Sequence, residues 1–230
     1  HGNRAMSGKT GSADVLEALG ANIDLPPESI AECIAETGFG FMFAQGFHPS
    51  MRFAAGPRRE IGIRTVFNLL GPLTNPAGAN RQLIGVSDPS IGELMANVLA
   101  RLGCEKALIV HGNDGLDEIT LSTTSMIWTL ESGIVTETEV SPKEFGFKES
   151  SLSSISAQDP DTSARTIRAV FEGTGGSSRD IVLLNSAAAL NAANYVDSLQ
   201  SGIEASAKSI DSGSALASLN SYVEFSKELQ

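Results

Sequence analysis

The opening strip His1-Gly2-Asn3-Arg4-Ala5-Met6-Ser7-Gly8-Lys9-Thr10-Gly11-Ser12 sets three glycines among side chains that donate hydrogen bonds, directly ahead of a helical pattern. Glycine lets backbone N–H groups approach a ligand closely. A helix N-terminus adds unpaired N–H groups and a partial positive charge. That chemistry suits an anion, above all a phosphorylated small molecule. Gly8-Lys9-Thr10 is not a P-loop, because five residues rather than four separate Gly2 from Gly8.

A second cluster, His111-Gly112-Asn113-Asp114-Gly115-Leu116-Asp117-Glu118, follows a strand pattern ending at Val110. Ligands of open parallel sheets gather outside the carboxyl ends of strands. Carboxylates there offer hard oxygen ligands, and Mg2+ binds through one or two of them plus phosphate oxygens and water. A solvated acidic turn is the other reading; the spacing is not that of an EF-hand. A third cluster is basic: His48, Arg52, Arg58 and Arg59, near Phe41, Met42 and Met51. Arginine's planar fork matches a carboxylate, which suits an aromatic acid. A helix face paired with surface glutamates fits some of these arginines equally well. Gly173-Thr174-Gly175-Gly176 imitates a phosphate loop but lies between two helical patterns and reads as a helix stop and connector.

Positioning such clusters takes a substantial scaffold. The 230 residues, 41% of them hydrophobic, can build one, and no apolar run nears the length that a membrane helix needs. A net charge of −11 argues against general nucleic-acid binding. Cys33 and Cys104 read as free thiols of a reducing compartment, and no Cys/His group has zinc spacing.

The pattern predicts one helix capped by Ser12 and closed at Gly20, and a second from Pro26-Pro27 to Gly38. A buried strand is expected at Gly40–Ala44, then a helix over Arg64–Leu70 stopping at Gly71-Pro72. Gln82–Val86 and Lys106–Val110 read as strands around an amphipathic helix, Ile91–Leu102, the pattern of a parallel sheet with crossover helices. Ser125–Glu131 and Ile134–Val140 flank a Ser132-Gly133 turn. The last third, Ala-rich, reads as four helices. One α/β domain over residues 1–230 is the expectation.

In chain order, His1–Arg4, Ser7–Glu17, Arg58–Pro76, His111–Glu118 and Leu184–Leu190 resemble the anthranilate phosphoribosyltransferase family. The resemblance implies an α/β catalytic domain of the nucleoside phosphorylase/phosphoribosyltransferase type, with a mostly parallel central sheet flanked by helices. It implies transfer of the phosphoribosyl group of 5-phosphoribosyl 1-pyrophosphate (PRPP) to the amino group of anthranilate, in tryptophan biosynthesis. By motif match, His1, Gly2, Asn3, Arg4, Ala5, Met6, Ser7, Gly8 and Ser12 lie on PRPP. Asn3, Arg58, His48 and Pro72 serve anthranilate, with Arg58 on its carboxylate, and Asp117 and Glu118 hold Mg2+. No general base is assigned.

Family members also carry, ahead of the His-Gly-Asn-Arg strip, a lysine, a Gly-Thr-Gly-Gly-Asp loop, an Asn-x-Ser-Thr turn and a helical domain through which they dimerise. The expectation is that these residues form the C-terminal α/β portion of a longer, cytoplasmic, homodimeric enzyme and are nearly inactive alone. Its partners are then small molecules, with no nucleic acid and no membrane. A same-fold pyrimidine nucleoside phosphorylase, a non-enzymatic nucleic-acid-binding relative and a noncatalytic remnant are the rival readings.

Overall fold

The computed structural model describes residues 1–5, 10–48, 53 and 67–229. The α-helices of four residues or more whose bounds fall within the described residues are, in chain order, α1 (Ser12–Leu19), α2 (Pro27–Thr37), α3 (Ala44–Phe47), α4 (Phe67–Leu73), α5 (Gly92–Arg101), α6 (Pro160–Phe171), α7 (Ser177–Ala192), α8 (Leu199–Asp211) and α9 (Ser214–Glu228). The strands are β1 (Arg81–Gly85), β2 (Lys106–Gly112), β3 (Ser125–Glu131) and β4 (Ile134–Val140). The chain forms two compact units. The first gathers His1–Ala77, Ala157–Glu172 and Ser212–Gln230; the second gathers Gly78–Ser156 and Gly173–Asp211.

In the first unit, α1 and α2 end at Gly20 and Gly38 as expected. The start of α1 differs: Gly11 rather than Ser12 is the N-cap, because Asp14 in the first turn reaches back to the Gly11 N–H. Gly40–Ala44 does not form a strand. A single parallel bridge joins Gly2 to Phe43, and α3 begins at once. The apolar run marks burial instead of pairing: Phe41 and Phe43 join Ile23, Ile30, Cys33 and Tyr222 in the core of this unit. Helix α4 runs through Gly71-Pro72 instead of stopping there. Its end is closed by Thr74, whose hydroxyl donates to Leu70 O at 2.9 Å. Arg168 of α6 donates to Leu19 O at 3.2 Å and so satisfies a carbonyl at the end of α1.

The second unit holds a four-stranded sheet in the order β1-β2-β3-β4. β1–α5–β2 is the expected crossover, with β1 and β2 parallel from Arg81↔Lys106 to Gly85↔Val110. The β2–β3 and β3–β4 pairings are antiparallel, so the sheet is mixed. The reason is local: Ser132-Gly133 closes a hairpin, and a tight turn joins only antiparallel strands. β2 is buried along its whole length, and helices α5 and α7 pack on it. The glycines at 173–176 connect α6 to α7, as read from the sequence. Both cysteines are free. Among the described residues, no helix is long and apolar enough to cross a membrane.

Candidate functional site

In the first unit, the described parts of the opening strip, residues 1–5 and 10–12, are pinned together. Asp14 Oδ2 accepts the Ala5 N–H at 2.9 Å and the Gly11 N–H at 2.8 Å, tying the two ends of the loop together. The Gly11 N–H is therefore engaged by an internal carboxylate. Gly11 is required by close approach: a Cβ there would lie 2.6 Å from Ala5 N and 2.8 Å from Asn3 O, both backbone atoms. Thr10 Oγ1 is buried and has no hydrogen-bond partner among the described residues.

The two backbone N–H bonds, Ala5 first, hold the Asp14 carboxyl below its ordinary value of 3.8. A carboxyl depressed in the folded state contributes stability above its unfolded value and loses it as pH falls through the folded one. The loop tie is thus expected to hold at neutral pH and to release only under acid, below 3.8. Amide exchange measured at pH 7 should speed up about tenfold at Ala5 and Gly11 in Asp14→Ala, in line with loss of charge-assisted bonds. Unchanged exchange would mean that the loop is held by something else.

The strip is also stapled sideways. Gly2 N–H donates to Met42 O at 3.2 Å, and Ala44 N–H donates to Gly2 O at 2.8 Å. This brings together His1 and His48, residues expected on PRPP and on anthranilate. Their Nε2 atoms lie 3.1 Å apart, and the rings meet edge to face with centroids 5.0 Å apart. One of the two nitrogens supplies the proton and the other accepts it. Arg4 turns instead to Glu17, donating from Nη2 and Nε at 2.7 and 3.1 Å, with its guanidinium 4.7 Å from the centre of the Phe43 ring. Asn3 Oδ1 accepts the Arg4 N–H at 2.9 Å. Ser12 opens α1, and Pro72 sits half-buried in α4. Met6, Ser7, Gly8, Arg52, Arg58 and Arg59 lie outside the described residues. Sequence reasoning missed Asp14 and Glu17, although their i, i+3 spacing places both on one face of α1.

In the second unit, the loop from Gly112 to Ser125 separates the three carboxylates grouped by the sequence. Asp114 is built into the loop. Its Oδ2 accepts Thr120 Oγ1 at 2.6 Å and also Ser122 Oγ, while Oδ1 accepts the Leu116 N–H at 3.2 Å. Desolvation acts to raise this carboxyl, but the hydrogen bonds from Ser122, Thr120 and the backbone together outweigh it and leave it lowered. His111 is buried in β2, its Nδ1 2.8 Å from Val86 O. Asp117 and Glu118 are exposed, and among the described residues neither carboxylate has a hydrogen-bond or ion-pair partner. Although Glu118 is exposed as a residue, its carboxyl is pushed up, first by desolvation and then by the charge of Asp117.

Among the described residues, no group of three or more His, Cys, Asp or Glu is placed to hold a metal. Asp117 and Glu118 by themselves offer only carboxylate oxygens, so a divalent ion held there would need further ligands from phosphate or water. Two adjacent carboxylates without a counter-charge supply the right donor set.

A family model described as the glycosyl transferase family, a/b domain, matches residues 1–216. The anthranilate phosphoribosyltransferase of Acetivibrio thermocellus is 50% identical over 225 residues, covering 98% of this chain and 65% of that protein. The enzyme of the same name from Dehalococcoides mccartyi is 48% identical over 231 residues, covering 100% of this chain and 68% of that protein. The chain thus spans about two thirds of the length of these relatives. Among solved structures, anthranilate phosphoribosyltransferase from Thermus thermophilus superposes with a TM-score of 0.92 at 42% identity, covering 99% of this chain and 68% of that one. The Saccharomyces cerevisiae enzyme, solved in complex with PRPP and Mg, gives 0.90 at 27% identity over 100% of this chain and 64% of that one. The chain belongs to the glycosyl transferase family that this a/b domain defines and, within it, to the anthranilate phosphoribosyltransferases.

Proposed function

We propose that the protein transfers the phosphoribosyl group of PRPP to the amino nitrogen of anthranilate, releasing pyrophosphate, as a step of tryptophan biosynthesis. The observation that carries this reading is the tie that Asp14 makes between Ala5 and Gly11 of the His1–Ser12 strip, where close approach requires glycine at position 11. The partnerless Asp117-Glu118 pair supports it, as do the yeast relatives solved with PRPP and Mg and with 4-fluoroanthranilate.

In this reading, His1, Gly2, Asn3, Arg4, Ala5, Met6, Ser7, Gly8 and Ser12 bind PRPP. Arg4 itself is paired with Glu17 beside the Phe43 ring. Arg58 pairs with the carboxylate of anthranilate as a planar fork, with Asn3, His48 and Pro72 beside the ring. Asp117 and Glu118 hold Mg2+ by their carboxylate oxygens. Bound Mg2+ offsets the negative charge that grows on departing pyrophosphate. The aniline nitrogen is a neutral nucleophile, so the protein's residues act mainly by orienting it toward the sugar carbon. The whole chain forms one catalytic domain of a homodimeric, cytoplasmic enzyme.

In an enzyme of the relatives' full length that carries these residues, anthranilate fluorescence is expected to fall on addition of anthranilate, PRPP and Mg2+, with one pyrophosphate released per anthranilate consumed and both processes stopped by a chelator. Pyrophosphate release uncoupled from anthranilate, or release of thymine from thymidine and phosphate, overturns the reading.

A further inference from the structure

We infer that Asn185 is a positioning residue for the Asp117-Glu118 pair, an assignment that rests on the metal-holding role proposed for that pair. Asn185 lies half-buried on α7, within the Leu184–Leu190 stretch that the reading above leaves without a task. Its carboxamide grips a single residue from both sides. Oδ1 accepts the Ile119 N–H at 2.9 Å, and Nδ2 donates to Ile119 O at 2.9 Å. This reproduces the exchange of two hydrogen bonds by which opposed residues pair in an antiparallel ladder. Nδ2 also donates to Ile181 O at 3.0 Å, one turn back on α7, which fixes the direction of the amide.

Ile119 is 1% exposed and is joined to Glu118 by one peptide bond. On the other side of the pair, a Cβ at Gly85 would lie 1.7 Å from Asp117 O, so that carbonyl rests in space which only glycine leaves open. Asp114 holds the Leu116 N–H at 3.2 Å. The main chain is therefore fixed at Leu116, Asp117 and Ile119, while the two carboxylates stay free of partners among the described residues. Fixing the main chain on both sides limits where the two carboxylates can reach and leaves their oxygens available as ligands.

The test uses the full chain, with Mn2+ as a paramagnetic probe in the presence of pyrophosphate. Asn185→Ala is expected to weaken Mn2+ binding about tenfold or more, the usual scale for groups that orient metal ligands. The Mg2+ concentration for half-maximal activity should rise by the same factor, while turnover at saturating Mg2+ largely recovers. Asn185→Ser, which keeps a polar side chain on the helix, carries the test if the alanine variant does not fold. Leu183→Ala removes a neighbouring side chain of α7 that is 5% exposed. It should lose thermal stability yet bind Mn2+ like wild type. Asn185 variants that melt lower but keep wild-type Mn2+ affinity overturn the inference, as does Leu183→Ala weakening Mn2+ equally. A wild-type protein that binds no Mn2+ with pyrophosphate overturns instead the role of the acidic pair, and this assignment falls with it.

Discussion

Gly85→Ala is expected to destabilise the protein by about 3 kcal/mol and to lower its thermal midpoint by roughly 6–12 °C. The added methyl would lie 1.7 Å from Asp117 O, 2.8 Å from its carbonyl carbon and 3.2 Å from its Cβ. The first two are backbone atoms, so no side chain can swing aside. β1 cannot retreat, because Gly85 sits in register with Val110 and the next residue, Val86, donates to Val110 O at 2.9 Å. The Asp117 segment cannot retreat either without breaking the grip of Asn185 on Ile119 or of Asp114 on Leu116. Whichever side yields, metal binding by the acidic pair should weaken as well. Gly175→Ala is the matching control, since a Cβ there meets nothing within 4 Å. Calorimetric melting of the two variants decides the matter: equal midpoints would remove close packing as the reason for glycine at position 85.

What the sequence disclosed depended on whether the controlling contact was local. The ends of α1 and α2, the crossover from β1 to β2 and the hairpin at Ser132-Gly133 are set by neighbours in sequence and were legible there. Gly40–Ala44 was not, since an apolar run marks burial without saying whether strand pairing supplies it. Asp14 and Glu17 read as ordinary acidic positions of an amphipathic helix, and their reach back to Ala5, Gly11 and Arg4 depends on the path of a loop. The acidic trio shows the same limit. Sequence grouped Asp114 with Asp117 and Glu118, but the hydroxyls of Thr120 and Ser122 take Asp114 out of the ligand set. Gly85 was only a glycine at a strand end until the return of the chain at Asp117 gave it a reason. Singling out Arg58 from the basic cluster rests on the family resemblance.

Neutralising the acidic pair should separate function from stability by moving the two in opposite directions. The near-isosteric double variant Asp117→Asn with Glu118→Gln is expected to lose about a thousandfold or more in Mg2+-dependent turnover. A metal that carries charge on the leaving group contributes several kcal/mol to the transition state, and each 1.36 kcal/mol is a factor of about ten. The same variant should melt no lower than wild type in the absence of metal. Two adjacent like charges face no counter-charge among the described residues, and the raised Glu118 carboxyl records that the folded chain disfavours its ionised form. Removing charges held for function relieves that conflict. Asp114→Asn supplies the contrast, because one oxygen of Asp114 serves both Thr120 and Ser122 and the other serves Leu116. An amide there turns one acceptor into a donor and leaves either a hydroxyl pair or an N–H unsatisfied, so the midpoint should fall. If the double variant melts lower and keeps its turnover, the pair is a structural turn and Mg2+ is bound elsewhere. A drop in Mg2+-dependent turnover with an unchanged or higher midpoint assigns the carboxylates to function rather than to the architecture of the turn, and a matching loss of Mn2+ affinity then identifies them as ligands.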